Sequence, residues 1–192
     1  MRRRSIPHDE WQYHRRSSED VRGTLLRLCL EFVRAARKLP HIPRIAVVGS
    51  LLTPKPRPKD ADVLVTIGRE VDLDALAVLG RRFQGRAQGI NSTADVFLSD
   101  VDGSYVGRVC HYRECYPRVR CGARHCGMRP HLNDDLDIVT LAPELIASPP
   151  LVVHPVVTIA AQVPKDVEEL LLAPLRSEIV VIAPSTSPQS TA

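Results

Sequence analysis

The sequence predicts an α/β (α+β) protein built on a small mixed β-sheet with flanking helices. Along the first hundred residues, amphipathic stretches with helical spacing alternate with short apolar runs rich in β-branched residues. Such alternation is typical of a domain in which helices cover a sheet. The composition agrees, because 44% apolar and 25% charged residues are ordinary for a globular chain.

The first predicted element is a helix over residues 17–40. Its apolar positions recur every three or four residues, at Val21, Leu25, Leu28, Phe32 and Ala36. Ser17 or Ser18 is suited to cap it, the two acidic residues that follow suit its first turn, and Pro40 ends it. Cys29 lies on or beside the buried face and is expected to be a small core residue.

Three apolar runs are predicted to be strands: residues 44–49, 61–67 and 94–100. The second is as apolar as the first, so we expect it to be buried on both faces. Between the second and third runs, residues 71–83 carry apolar side chains at near-helical spacing and are predicted to form a helix.

The character of the chain changes beyond residue 141, where eight of its 16 prolines lie. The run "IVTL" at 138–141 is predicted to be a strand that follows a solvated acidic turn, Asn133 to Asp137. One short helix is predicted within "VPKDVEELLLAPL", residues 163–175.

Two aspartates, Asp60 and Asp62, stand at the start of the second predicted strand. Because side chains alternate across a strand, both point to the same side. Like charges that close repel each other unless a cation or a basic group lies between them. The alternative interpretation is a loop in which both carboxylates are merely solvated.

A Gly-Ser pair, Gly49 and Ser50, ends the strand before these aspartates. Glycine lets a backbone approach a phosphate closely, and the serine hydroxyl and neighbouring N–H groups can bond its oxygens. The loop that follows carries three basic residues suited to neutralise a triphosphate: Lys55, Arg57 and Lys59.

A further aspartate, Asp95, stands in the third predicted strand. If that strand pairs beside residues 61–67, three carboxylates converge on one place. Such a cluster suits two-metal phosphoryl transfer, in which two ions about 3.5–4 Å apart stabilise the attacking and leaving oxygens.

These motifs together resemble the signature of the DNA-polymerase-β-like nucleotidyltransferase superfamily. They are Gly-Ser, nine residues, Asp-Ala-Asp before Val-Leu-Val, and a later aspartate in a short strand. The resemblance covers about residues 21–100 and is closest to the small stand-alone bacterial members. It implies a nucleotidyltransferase-like fold and transfer of a nucleoside monophosphate from a nucleoside triphosphate (NTP) to a hydroxyl on a protein, an RNA end or a small molecule.

The resemblance also implies roles for individual residues. Gly49 and Ser50 would grip the nucleotide phosphates. Asp60 and Asp62 would hold two Mg²⁺ ions. Asp95 would bind one of these ions and help to deprotonate the acceptor hydroxyl.

The chain departs from the family pattern directly after Ser50, where a helix usually aims its N-terminus at the phosphates. Three alternating prolines leave room for at most a single turn there: Pro54, Pro56 and Pro58. Triphosphate binding is then expected to depend on the basic side chains of this loop.

Four of the five cysteines fall within 17 residues: Cys110, Cys115, Cys121 and Cys126. Their spacing is compact enough for one tetrahedral, structural Zn²⁺ ion, with His111, His125 and His131 as further candidate ligands. Disulfides and a redox-active thiol set are the alternatives. Five arginines and two tyrosines in the same segment suit either single-stranded nucleic acid or simple solubility.

The chain is predicted to consist of five parts: an N-terminal arm (1–16), a nucleotidyltransferase-like core (17–109), a zinc knuckle (110–131), a C-terminal extension packing on the core (132–182) and a disordered tail (183–192). The extension and tail carry eight acidic and two basic residues, whereas residues 1–44 carry eleven basic and five acidic ones. The basic front favours an anionic partner such as nucleic acid or nucleotide phosphates, or else is simply a solvated surface.

No run approaches the ~20 apolar residues of a membrane span, and the N-terminus lacks the apolar stretch of a secretory signal. A cytoplasmic protein without a membrane partner is therefore expected. Two other functions stay open: an inactive nucleotidyltransferase-like scaffold whose zinc knuckle binds nucleic acid, and a protein-interaction module of the toxin–antitoxin type.

Overall fold

A computed structural model describes residues 20–112, 126, 129–134 and 136–180 of the chain. The helices are α1 (Val21–Ala36), α2 (Leu73–Gln88), α3 (Pro143–Ala147), α4 (Lys165–Val167) and α5 (Ala173–Val180), with a π-helical segment, Glu168–Leu172, joining the last two. The strands are β1 (Arg44–Val48), β2 (Asp60–Ile67), β3 (Thr93–Asp100), β4 (Tyr105–Val109), β5 (Leu132–Asn133), β6 (Leu151–His154) and β7 (Thr158–Ile159).

The seven strands form one mixed sheet in the order β5-β4-β3-β2-β1-β6-β7. Strands β2 and β3 run parallel, whereas every other neighbouring pair is antiparallel. The predicted mixed sheet with flanking helices is thus confirmed, and β2 lies at its centre. Among the described helices, none is long and apolar enough to cross a membrane.

Helix α1 begins at Val21, because Asp20 caps it with a side-chain oxygen that accepts from the N–H of Gly23 at 3.0 Å. The sequence predicts Asp20 in the first turn, and that detail is wrong because Asp20 is the N-cap residue. The predicted caps, Ser17 and Ser18, lie outside the described residues. In the same way, Asp72 caps α2 by accepting from the N–H of Ala75.

One face of the sheet is covered by α1 and α2, which contact each other through the stacked rings of Phe32 and Phe83, 5.2 Å apart. The alternate residues of β2 and β3 that face these helices are apolar and buried, as Val63 and Val96 show. Cys29 lies in this core, as predicted, and burial raises the pKa of its thiol to about 12.

The opposite face carries a smaller apolar cluster in which Ala46, Val48 and Leu64 pack against Ile146 of α3. Arg44 fixes α3 there, since its guanidinium donates to the carbonyl of Ile146 at 2.6 Å. This cluster covers only part of the face and leaves the start of β2 to polar side chains.

The C-terminal part of the chain completes the sheet. Strand β6 pairs antiparallel with β1, and β7 pairs with β6. The segment Glu168–Leu172 packs against α1, within the region where a helix was predicted. The strand predicted at 138–141 is wrong, because these residues pair with no strand in the described sheet and Ile138 is 64% exposed. The arm (1–16) and the tail (183–192) lie outside the described residues.

Candidate active site

The three candidate carboxylates lie on one face of the sheet. Asp60 and Asp62 are two residues apart on β2, so they share a side, and the register of the parallel pair sets Asp62 beside Asp95 on β3. Their neighbours Ala61 and Ala94 face the helices and are buried. The aspartates therefore face away from α1 and α2.

The Gly-Ser turn contacts this group directly. It forms a single 3₁₀ turn, Gly49–Leu52, in line with the limit that the three prolines set. The hydroxyl of Ser50 donates to Oδ1 of Asp60 at 2.5 Å. A β-carbon placed on Gly49 would lie 2.6 Å from Oδ2 of Asp62, so only glycine brings the backbone this close.

Asp62 is the most perturbed carboxyl of the site. Burial, followed by the repulsion of Asp60 and of Asp95, raises its pKa from 3.8 to about 7, and the charge of Arg108 opposes the rise only in part. Near neutral pH this position therefore favours either a bound proton or a nearby cation.

Asp95 has a different environment. Nη1 of Arg108 lies 3.3 Å from its Oδ1, and Nε2 of His111 lies 3.5 Å from the same oxygen. Burial alone would raise the pKa of Asp95, but the hydrogen bond with His111 and the charge of Arg108 together lower it below its usual range. Near neutral pH, Asp95 is therefore ionised, whereas its neighbour Asp62 is partly protonated.

Arg108 and His111 were not predicted to contact Asp95. Arg108 belongs to β4, which the sequence patterns did not reveal, and pairing with Phe97 of β3 puts it on the face of the carboxylates. A basic residue directly after a glycine, close in sequence to the third predicted strand, was the only available signal.

The basic loop residues are exposed, and two of them line a separate cleft. Arg57 and Lys59 border an open cavity of about 570 Å³ together with Thr24 of α1 and the turn at residues 89–92. The three aspartates do not line this cavity. Lys59 directly precedes Asp60 in the chain.

No protein-family model, no curated protein and no solved structure matches this chain. The resemblance to the nucleotidyltransferases therefore depends on the sequence motif alone.

The predicted zinc site lies partly outside the described residues, which omit Cys115, Cys121 and His125. Cys110 is buried at the end of β4, where its N–H donates to the carbonyl of His131 at 2.8 Å, and Cys126 is half-buried. The β4–β5 pair thus holds the two ends of the cysteine-rich segment side by side. Zinc binding stays a prediction.

Among the described residues, no group of three or more His, Cys, Asp or Glu side chains is arranged to hold a metal ion. Asp60 accepts a hydrogen bond from Ser50, and Asp95 accepts one from Arg108, so both carboxylates already have protein partners. The donor chemistry nevertheless fits a divalent cation such as Mg²⁺, which prefers carboxylate oxygens. Mutual repulsion at Asp62 is the property that such an ion would relieve.

Proposed function

We propose that this protein is a metal-dependent nucleotidyltransferase that transfers a nucleoside monophosphate from an NTP to a hydroxyl acceptor. The observation that carries the proposal is the side-by-side register of Asp62 and Asp95 on parallel strands. Asp60 lies on the same face, and the Gly49–Ser50 turn contacts both Asp60 and Asp62. Three acidic groups beside a Gly-Ser turn suit two-metal phosphoryl transfer.

In the proposed reaction, the acceptor oxygen forms a bond to the α-phosphorus, the bond from that phosphorus to the bridging oxygen breaks, and pyrophosphate leaves. Asp60 and Asp62 would hold the Mg²⁺ ions. When bound, these ions supply the positive charge that offsets the charge developing on the attacking and leaving oxygens. The chain itself contributes position and proton transfer.

Asp95 has the geometry to take the acceptor's proton. Arg108 and His111 both contact its Oδ1, which would fix the carboxylate for contact with an acceptor hydroxyl. The lowered pKa keeps this group ionised before the reaction. A fixed, ionised carboxylate is suited to orient a hydroxyl for attack.

The phosphates would be bound by the turn and its loop. Ser50 can turn its hydroxyl from Asp60 to a phosphate oxygen once a cation occupies the carboxylates. Lys55, exposed in the same loop, supplies positive charge where the 3₁₀ turn is too short to supply a helix dipole.

The test is incubation with each of the four NTPs, labelled on the α-phosphate, in the presence of Mg²⁺. Transfer of label is expected from at least one NTP and should fall by roughly 100-fold or more in Asp62→Asn, a loss typical of removing a group that stabilises the transition state. Asp102→Asn, an exposed aspartate in the turn after β3, is the matched control and should transfer label normally. Undiminished label transfer in the Asp60→Ala/Asp62→Ala double variant would contradict the assignment of these two aspartates as catalytic.

The pairing of Arg108 with Asp95 favours one other function, an inactive scaffold that binds nucleic acid through the cysteine-rich segment. A guanidinium already neutralises the third carboxylate in this arrangement. That function predicts salt-sensitive binding of RNA or DNA that persists in the aspartate variants and is lost when zinc is chelated.

A further inference from the structure

Arg22 is one of the few buried charged residues of the molecule's described part. It lies in the first turn of α1, and its side chain is 10% exposed. Its guanidinium donates to three backbone carbonyls of one loop: Leu51 at 2.8 Å, Thr53 at 2.9 Å and Lys55 at 3.2 Å. This loop follows the Gly49–Ser50 turn directly.

The prolines explain why one side chain can reach all three carbonyls. Thr53 and Lys55 each precede a proline, which restricts their backbone to the extended region. Thr53 has φ of −103° and ψ of 158°, as expected. In extended backbone, carbonyls two residues apart point to the same side, so those of Thr53 and Lys55 turn to Arg22 together.

Asp166 completes the contact from the other end of the chain. It forms an ion pair with Arg22 through Nε, and Nη2 of Arg22 donates to its Oδ1 at 3.1 Å. The hydrogen bond from Arg22 lowers the pKa of Asp166, so the pair is ionised at neutral pH. Because Asp166 belongs to α4, Arg22 links the first helix, the loop and the C-terminal helices.

We propose that Arg22 is a positioning residue for the nucleotide: it holds residues 51–55 so that Ser50 and Lys55 are presented to the phosphates. The inference rests on the proposed function and assigns to Arg22 the task of ordering a loop that has a single helical turn of its own. Asp166 acts through Arg22 by fixing the direction of the guanidinium.

Arg22→Lys is the decisive variant, because it keeps the positive charge beside Asp166 but cannot donate to three carbonyls at once. Two experiments are needed: amide hydrogen exchange of the six non-proline residues within 51–59, and steady-state kinetics that give KM and kcat for the NTP that the wild type uses. We expect exchange in this segment to quicken by at least about tenfold and KM to rise about tenfold, with kcat changed by less than about twofold.

Arg44→Lys is the matched control. Arg44 also donates to carbonyls, those of Ile146 and Ala147, but at α3. Its replacement should leave both the exchange of residues 51–59 and the KM unchanged. Asp166→Asn is a milder second variant. It keeps the hydrogen bonds from Arg22 to the loop carbonyls and should raise KM by about threefold.

The outcomes distinguish failure of the positioning role of Arg22 from failure of the proposed nucleotidyltransferase function. A wild type that neither binds nor transfers any NTP overturns the proposed function, whatever the exchange of residues 51–59. A wild type that turns over an NTP, together with an Arg22→Lys variant of unchanged KM, overturns the positioning role alone. Equal effects of Arg22→Lys and Arg44→Lys would reduce Arg22 to a general structural residue.

Discussion

Gly49 has a φ of +75°, and its missing β-carbon is what admits the carboxylate of Asp62 to the turn. Any other residue would be strained in this conformation and would also collide with a side chain of the site. At the residue scale, the site therefore depends on one backbone position as much as on its acidic groups.

Gly49→Ala should lower the free energy of unfolding by about 1–3 kcal/mol, because it adds backbone strain and a contact of 2.6 Å with Oδ2 of Asp62. Urea unfolding measures the change. Gly85→Ala is the control: a β-carbon there meets no atom within 4 Å, and alanine favours a helix interior. That variant should be as stable as the wild type or more stable, and equal losses in both would contradict the explanation.

The raised pKa of Asp62 predicts a pH-dependent stability. The unfolded chain loses this proton near pH 3.8, whereas the folded chain keeps it until about pH 7. Between these values the unfolded state releases the proton more readily, so the free energy of unfolding of the wild type falls with rising pH. That of Asp62→Asn does not change through this group. The difference in free energy of unfolding between the two proteins, called the gap below, therefore changes between about pH 4 and pH 7 and is constant above pH 7. Each unit of pKa difference corresponds to about 1.4 kcal/mol, so the gap changes by at most about 4 kcal/mol over this pH range.

Urea unfolding of both proteins in the presence of a chelator, from pH 4 to pH 9, measures this gap. Adding Mg²⁺ at pH 8 should narrow it, since a cation stabilises the ionised wild-type site and not the amide. A gap that is flat across the whole range would show that Asp62 ionises normally.

At the scale of elements, ion pairs connect the C-terminal helix α5 to α1. Glu178 of α5 lies between Arg34 of α1 and Arg37 at its C-terminal cap. A carboxylate shared by two guanidinium groups contributes more than an isolated exposed pair. This contact and the Arg22–Asp166 pair hold the C-terminal helices on α1.

Glu178→Gln should therefore lower the free energy of unfolding by about 1 kcal/mol, and the loss should shrink in 1 M salt. Glu70→Gln is the control, because Glu70 is 83% exposed and lies 3.7 Å from His41 alone among the described residues. Its effect should stay within about 0.5 kcal/mol. Equal losses for both variants would mean that the helix contact is not electrostatic.

Elements with their own periodic pattern were predictable from the sequence, and elements defined by a partner were not. The helices α1 and α2 and the strands β1 to β3 each carry a clear pattern. Strand β4 was missed because Gly107 and Arg108 interrupt its apolar character. The "IVTL" run has the pattern of a strand but pairs with none in the described sheet, so propensity misled there.

The site shows the same division. The three aspartates and the Gly-Ser turn could be found by spacing along the chain. The contacts of Arg108 and His111 with Asp95 depend on β4 folding back beside β3. The contact of Arg22 with Asp166 joins residues 144 apart, which no local pattern reports.

At the scale of the whole molecule, the cysteine-rich segment leaves and rejoins the sheet at one place. Cys110 and His131 are held together by the β4–β5 pair. A segment closed at its base in this way loses less entropy when a metal ion organises it. Such a closed base would favour a zinc site.

Elemental analysis of the purified chain should find about one zinc per molecule, as a closed site of four ligands requires. Cys110→Ser should reduce that content and lower the melting temperature, whereas Cys29→Ser, at a cysteine outside the segment, should leave the zinc content unchanged. The zinc assignment would be contradicted if the purified protein contained no zinc and a chelator left its melting temperature unchanged.

The pairing of β1 with β6 has a consequence for synthesis. Residues 44–48 leave the ribosome roughly 100 residues before their partner at 151–154, an interval of roughly 5–20 s at usual elongation rates. Until then β1 is a bare edge of an apolar strand on the nascent chain. The face of the sheet that carries Asp60, Asp62 and Asp95 is accordingly expected to be completed only after residues 151–154 have been synthesised and have paired with β1.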